Sequence, residues 1–338
     1  LGEVPTDGWS YEEYLDAVEQ MHGLDMSGTT VSGVGVALKD AVSNGEWINY
    51  VGGNGLSRTA GSLVGEGYEN TDGDMVMTLA SSPEVEAWDS MVGTPLENGW
   101  TNNPLAYEWL EVKSAFANGE LATLHHTPYA RVSIGQNADF NWEIVPHPTR
   151  NGDSNIATYT AGPTPIITFT AFKEEVGANP EAAAEFVKFR NNARNQYEWF
   201  NTSSQTVPNE GAFELMQEEG VSDFVETTGG LQIQSLMDDA LKTYSDENTA
   251  VTERYPDIAT TSTGVPQTGL PRQIASGRVH DTIGGMLQQL ANSKNSNVQQ
   301  RFTNAEEQWA SLLQQADDLS VDQESIGWNA PEPQAGPL

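Results

Sequence analysis

Outside helical spacing, the apolar residues of this chain fall in short runs: Leu121–Leu124, Trp142–Val145 and Pro165–Thr170. Each is four to six residues long and bounded by glycine, proline or asparagine. Runs of that length and with those boundaries are strands. Between them stand segments whose apolar residues recur every three to four positions, the period of a helix with one buried face. Short strands interleaved with amphipathic helices bury their apolar faces by layering helix on sheet, so the chain is predicted to be α/β. At 338 residues it is long enough for two cores. No apolar run approaches the roughly 18–20 residues of a membrane-spanning helix.

The helices carry their own boundary signals. In VPTDGWSYEEYLDAVEQM (4–21), Ser10 is the predicted N-cap and Glu13 completes a capping box. Tyr11, Tyr14, Leu15, Val18 and Met21 follow at helical spacing. TTVSGVGVALKDAVSNG (29–45) reads as a glycine-broken lead into a helix. In SPEVEAWDSMVGTPLENGW (82–100), Ser82 is the predicted N-cap and Pro83 takes the first helical position. Residues 105–117 read as a short helix that stops at Asn118-Gly119. Residues 179–200 read as one strong helix, and SSQTVPNEGAFELM as a loop and then a helix. The stretch 245–272 reads as irregular, 279–291 and 298–316 as amphipathic helices, and the Pro-rich tail 317–338 as surface. There is no internal repeat.

Charge removes several partner classes. The chain has 48 acidic and 15 basic residues, a net charge of -33. Nucleic acid needs a basic face, so it is excluded as a partner, and an anionic membrane surface is disfavoured likewise. Acidity can accompany disorder, but nine Trp, ten Tyr and ten Phe argue for a folded chain. Acidic residues spread along the whole sequence suit a protein living in concentrated salt. There the screening length falls to about 3 Å and self-repulsion is muted. A halophilic source is therefore expected.

The motifs of catalysis are thin. With no cysteine, disulfides and thiol chemistry are excluded. His125 and His126 are adjacent, so on a strand they point to opposite faces and cannot share one metal locally. His22, His147 and His280 show no ligand spacing. The expectation is a strand end with one imidazole buried and hydrogen-bonded. NTDGDM (70–75) lacks the later ligands of a calcium loop and reads as a turn. SGVGVAL and VGGNG lack the dinucleotide and phosphate-loop patterns and read as places of tight turn or close backbone approach. The sequon Asn201-Thr202-Ser203 is compatible with a glycosylated surface. No catalytic residue, metal or cofactor is expected. Trp47, Tyr50, Trp100, Tyr129, Trp142 and Tyr159 fall in loops or at element ends. Their default role is packing, yet rings at loop edges are also how proteins hold the apolar face of a sugar.

Several stretches, in order, resemble one family. VPTDGWSYEEYLDAVEQM is similar to a Pro-Thr-x-Trp-x-Glu helix that follows a crossing between lobes. SSPEVEAWDSMVGTPLENGW is similar to a Ser-Pro-Glu helix ending at glycine, and FANGELATLHHTPYARV to Phe-x-x-Gly-Lys-x-Ala-Met, a strand and Gly-Pro-Trp. WEIVPHP, NPEAAAEFVKFRNNARNQYEWF and SSQTVPNEGAF resemble the strand end, helix and loop that come next. The family is that of the extracellular solute-binding proteins of ABC importers, of the carbohydrate type related to maltose-binding protein. The resemblance covers most of residues 4–316.

It implies a two-lobe, class II periplasmic-binding-protein-like α/β fold with helix-rich lobes and the N-terminal part of the first lobe absent. Residues 1–20 and 165–240 would hold crossing segments between the lobes, and 21–164 mostly the second lobe with a return to the first. Residues 241–316 would close the lobes and 317–338 form a surface tail. The protein would be an extracellular receptor, anchored through an upstream segment. It would bind a solute, a sugar by preference, as a monomer and deliver it to a membrane permease. Trp47, Tyr50, Tyr129 and Tyr159 are the candidate ring platforms; Asn54, His126 and Thr160 are the candidate partners for hydroxyls. Tyr129 stands where the family has tryptophan, His126 replaces a glycine, and Glu120 replaces a lysine. The alternatives are a glycan-acting enzyme or a carbohydrate-binding surface protein without a transporter. Within the fold, the alternative ligands are a glycerol phosphodiester, a polyamine or a peptide.

Overall fold

The computed structural model describes residues 8–26, 28–39, 67–73, 75–77, 79–80, 82–126, 130–146, 148, 179–207, 209–235 and 276–318. Helix α1 (Tyr11–Met21) opens with the expected capping box: the Ser10 hydroxyl accepts from Glu13 N, and the Glu13 carboxylate accepts from Ser10 N at 2.7 Å. Its buried residues, Tyr11, Tyr14 and Val18, lie on one face. A short ribbon, β1 (Asp25–Met26) and β2 (Thr29–Thr30), leads into β3 (Ser32–Gly35).

Residues 29–35 thus form strands where a lead into a helix was expected. The cause is close packing. A Cβ on Gly33 would meet the Val18 carbonyl oxygen at 2.5 Å, so glycine lets β3 lie directly on α1. The alternating Val34 and Val36 are fully buried and suit a pleated strand. Gly35 likewise lies against Leu121. Close approach is the role read for SGVGVAL; VGGNG lies outside the described residues.

The hairpin β4 (Gly67–Glu69) and β5 (Met75–Met77) is antiparallel, and its connection is the expected turn. There the Asn70 side chain accepts from Asp72 N at 3.0 Å, and Gly73 takes a φ of 88°. Helix α2 (Ser82–Trp88) runs through a π-turn, Asp89–Gly93, into α3 (Thr94–Asn98), which stops at left-handed Gly99. The predicted stop at Asn118-Gly119 ends α4 (Trp109–Ala117), and β6 (Leu121–Leu124) follows as predicted. Helix α5 (Ala130–Asn137) comes next.

Trp142–Val145 is not a strand. Within it, Ile144 O accepts from a side chain, Gln232 Nε2, at 2.7 Å, and just beyond it Pro146 O accepts from Trp9 Nε1 at 2.8 Å. The predicted helix over 179–200 is two helices, α6 (Pro180–Asn191) and α7 (Ala193–Ser203). Asn192 breaks them: extended, it caps α7 by accepting from Asn195 N at 2.9 Å. Helices α8 (Glu210–Glu219) and α9 (Asp223–Thr227) follow. The expected C-terminal pair is α10 (Ser276–Asn292) and α11 (Val298–Asp318). Pro165–Thr170, 245–272 and the tail beyond 318 lie outside the described residues. No described helix is long and apolar enough to cross a membrane.

Strands β3 and β6 pair in parallel, Ser32 with Leu121 and Gly35 with Leu124. On the other side of β3, Val34 bridges Thr101, also in parallel. The main core forms around this sheet, where α1, α2, α3, α10 and α11 bury Tyr14, Val34, Trp88, Met91, Leu287, Phe302 and Trp309. A smaller core, Tyr197, Phe200, Val207, Ala212 and Val225, is formed by α7 to α9. Helix α4 packs on β6 through Val112, Ala115 and Leu121. In the sequon, Asn201 is half-buried and its carboxamide oxygen accepts from Ser222 N, so this residue helps to join α7 to α9.

The C-terminal hairpin is pinned to the π-turn by Asn295, 3% exposed, with a left-handed φ of 61°. Its oxygen accepts from Trp88 Nε1 at 2.8 Å, and its nitrogen donates to Asp89 Oδ1 at 2.8 Å and Glu97 Oε1 at 3.2 Å. Burial raises the Asp89 pKa, the Asn295 hydrogen bond opposes this, and the Glu97 charge adds to it. A raised native pKa favours the protonated carboxyl. The stability contributed by this group is therefore fully present below its unfolded pKa and is lost as pH rises through the native one. Asp89→Asn keeps the acceptor oxygen and removes the charge. It is expected to melt above the wild type at neutral pH, with the gap closing below the ordinary carboxylate range, as read by melting temperature against pH.

Candidate functional site

In α/β sheets with parallel strands, ligands gather beyond the carboxyl ends of the strands. Here that edge is built by two helix–strand units, α1 before β3 and α4 before β6. Each helix runs back against its strand, so both helix N-termini arrive where β3 and β6 end.

The β3 end is tightly held. Asn102 takes both backbone groups of Val36, its Oδ1 accepting from Val36 N at 2.7 Å and its Nδ2 donating to Val36 O at 2.9 Å. Leu38 N donates to Pro104 O and Lys39 N to Tyr107 O, while Gln288 of α10 donates to the carbonyls of both. The Lys39 ammonium lies 3.0 Å from Glu108 and 3.6 Å from Glu111, at the start of α4. The hydrogen bond to Glu108 holds it above the usual lysine range.

At the β6 end, His125 Nε2 lies 3.1 Å from the Tyr14 hydroxyl, and that hydroxyl donates to Met91 O at 3.1 Å. A phenol has one proton, so with it on Met91 the imidazole is the donor and carries its hydrogen on Nε2. The strand end and the hydrogen-bonded imidazole are as expected, but His125 is half-buried and not buried, because it sits past the end of β6. Trp9 packs edge-to-face on Tyr14 at 5.4 Å, and the His125 ring lies 5.6 Å from Tyr14. His126, next along the chain, is half-buried. Among the described residues no three His, Asp or Glu side chains gather as metal ligands.

Of the expected contact residues, the structure places His126 at this edge, two residues past β6. Trp47, Tyr50, Asn54, Tyr129, Tyr159 and Thr160 lie outside the described residues. Trp100 packs on the main core as the default reading has it. Glu120, at the other end of β6, accepts from the Tyr107 hydroxyl at 3.3 Å. Sequence reasoning missed the Trp9–Tyr14–His125 stack. Trp9 stood just outside the predicted helix, and Tyr14 read only as one of its apolar residues.

Among the described residues, the one lysine at the edge, Lys39, is already paired with Glu108 and Glu111. A helix N-terminus attracts anions through its unpaired N–H groups. Here Glu13 accepts from Ser10 N and Glu111 from Glu108 N at 2.8 Å, so each helix start already has its own carboxylate. The hydrogen bonds from Ser10 also hold Glu13 below the ordinary glutamate range. The edge thus presents the half-buried imidazoles of His125 and His126, while Trp9 and Tyr14 are buried in the main core.

The sequence pattern of the bacterial extracellular solute-binding proteins matches residues 3–228. No curated protein matches the chain. Among solved structures it is similar to the ABC substrate-binding protein from Listeria monocytogenes in complex with cycloalternan, at 15% identity and a TM-score of 0.50. That match covers 97% of this chain and 66% of that one. It is also similar to a protein of Synechococcus sp. MITs9220 assigned as an oligosaccharide periplasmic-binding protein and solved with zinc, at 14% identity and a TM-score of 0.50. There the match covers 92% of this chain and 66% of the other. The chain thus has the α/β fold of the solute-binding proteins and spans just under two thirds of the length of both.

Proposed function

This chain belongs to the bacterial extracellular solute-binding protein family, and we propose that it is a non-catalytic receptor that binds a carbohydrate between two lobes. It acts outside the cytoplasmic membrane, as a monomer, and hands its solute to an ABC permease. The observation that carries this reading is the match to the solute-binding family over residues 3–228, with the carboxyl edge of the parallel pair β3 and β6, where His126 stands, as the site. The helix starts at this edge already hold the carboxylates of Glu13 and Glu111, which disfavours a phosphodiester. The complex of the Listeria protein with cycloalternan points to the same ligand class.

The ligand contacts come from His126 at this edge, from the rings of Trp47, Tyr50, Tyr129 and Tyr159, and from Asn54 and Thr160. Closure follows only from contacts better made in the closed state. The net charge of -33 extends the reading to a protein adapted to concentrated salt.

The rival is a glycan-acting enzyme. Incubation with cycloalternan and linear maltooligosaccharides, followed by chromatography of the sugars and by calorimetric titration, separates the two. Saturable, reversible binding with every sugar recovered intact is the expected result. Product that accumulates with time, and that one Asp→Asn or Glu→Gln change abolishes, would establish the enzyme instead.

A further inference from the structure

Helix α6 is held at one end and bare along one side. The carbonyls of its last three residues are met by side chains at the starts of α7 and α8. Asn192 and Asn195 donate to Phe189 O, Gln196 Nε2 to Arg190 O at 2.9 Å, and Asn209 Nδ2 to Asn191 O at 2.7 Å. The Arg190 guanidinium also lies over the Trp199 ring of α7, 5.8 Å from its centroid. These contacts satisfy carbonyls that a helix end leaves unpaired, and they set the direction of α6 against α7.

Among the described residues, however, no residue of α6 belongs to a core. From Glu181 to Asn191 none is buried, and Phe186 and Phe189 are 58% and 63% exposed. Three positions apart, the two rings share one side of the helix. A single apolar residue on a surface is ordinary, but two large rings together on a helix fixed in place mark a contact surface.

The sequence supplies an occupant. Pro165–Thr170, outside the described residues, ends nine positions before Asn179, the N-cap of α6. The run reads as a strand, and consecutive elements are spatial neighbours about two-thirds of the time. Alternate side chains of a strand share a face, so Ile167 and Phe169 would lie on one face and Thr168 and Thr170 on the other. The apolar pairs have comparable spacing, roughly 4.5 Å of rise from Phe186 to Phe189 and roughly 6.6 Å from Ile167 to Phe169. A short tether gives an effective concentration on the order of millimolar, which favours this contact over one with a second copy of the chain.

We propose that the Phe186–Phe189 side of α6 is an intrachain docking surface and that Pro165–Thr170 occupies it. Because a helix runs back over the strand before it, Phe189 meets Ile167 and Phe186 meets Phe169. Helix α6 thereby joins this run to the smaller core. The proposal goes beyond the solute reading and holds whatever the chain binds.

The test is a double-mutant cycle on the full chain, read by urea unfolding in concentrated salt. Phe189→Ala and Ile167→Ala are each expected to lower the folding equilibrium constant by about tenfold or more. Together they are expected to cost about fivefold less than the product of the single effects, because removing one partner strips the other. Thr168→Ala, which the alternation puts on the other face, is the control, and its effect should multiply with that of Phe189→Ala. No loss on Phe189→Ala would mean that the ring stays in water, and the proposal fails. Effects of Phe189→Ala and Ile167→Ala that simply multiply overturn it equally. If an alanine variant does not fold, p-benzoylphenylalanine in place of Phe189 keeps the ring and decides by photocrosslinking. A crosslink within one chain to the peptide spanning 165–170 supports the proposal. A crosslink to another segment or to a second copy, or none at all, overturns it.

Discussion

Alanine at position 33 is expected to lower stability by about 3 kcal/mol, at the upper end of what added methyl groups cost in a packed core. The added carbon would sit 2.5 Å from the Val18 carbonyl oxygen and 2.8 Å from Val18 Cγ1. The first of these is backbone inside α1 and cannot rotate aside. Relief requires α1 to lift off β3, which would loosen Tyr14 and with it the support of His125. Gly35→Ala is the control. Its nearest obstacle is Leu121 Cδ1, also at 2.5 Å but at the far end of a rotatable side chain, so its cost should be clearly smaller. Urea unfolding of both variants checks the order: the midpoint of Gly33→Ala should fall well below that of Gly35→Ala, with slopes unchanged. Equal midpoints would mean that α1 does not lie on β3 as described.

Trp88→Ala should cost about 4 kcal/mol, in the range for emptying a large aromatic site. Trp88 is fully buried beside Phe302, with ring centroids 6.3 Å apart, and its indole donates to Asn295. Removal opens a cavity and also strips a donor from a buried carboxamide oxygen. Trp88→Phe isolates the second effect. It refills most of the volume and leaves the oxygen unmet, at a cost of about 1–3 kcal/mol. Because Asn295 sits in the turn between α10 and α11, both variants should loosen the C-terminal hairpin first. Limited proteolysis near residues 293–297 reads that directly. Loss confined to α1 and β3 would refute the role given to Asn295.

Much of the fold was legible because its signals are local. The Ser10–Glu13 box, the stop at Gly119, the run Leu121–Leu124 and the two C-terminal helices depend on residues within a turn or two of each other. The errors came where distant contacts override local pattern. Residues 29–35 are strand because Gly33 and Gly35 admit α1 and β6, which a glycine-rich stretch does not announce. Trp142–Val145 has strand composition, yet Ile144 O is bonded by the side chain of Gln232, 88 positions away. The break at Asn192 was visible in Asn-Asn-Ala-Arg-Asn, where an N-cap sits inside a helical pattern, but the pattern outweighed it.

The site was legible in outline only. The turn after β6 could be singled out from sequence, and His126 does stand at the carboxyl edge. What supports that edge could not be read. Tyr14 and His125 are 111 positions apart, and Arg131 and Ser204 are 73. Both pairings depend on topology, on the parallel match of β3 with β6 and on where α5, packed on α4, meets the cap of α7. No periodicity encodes either.

The measurement that bears most directly on the central claim is thermal melting in concentrated salt against a panel: cycloalternan, linear maltooligosaccharides, glycerophosphocholine, spermidine and a short peptide. A ligand that binds the native state at a hundred times its Kd stabilises it by about 2.7 kcal/mol, a shift of several degrees. The account predicts that one of the sugars raises the melting temperature in a saturable way and that the charged compounds do not. A shift with spermidine, the phosphodiester or the peptide, and none with any sugar, would contradict it.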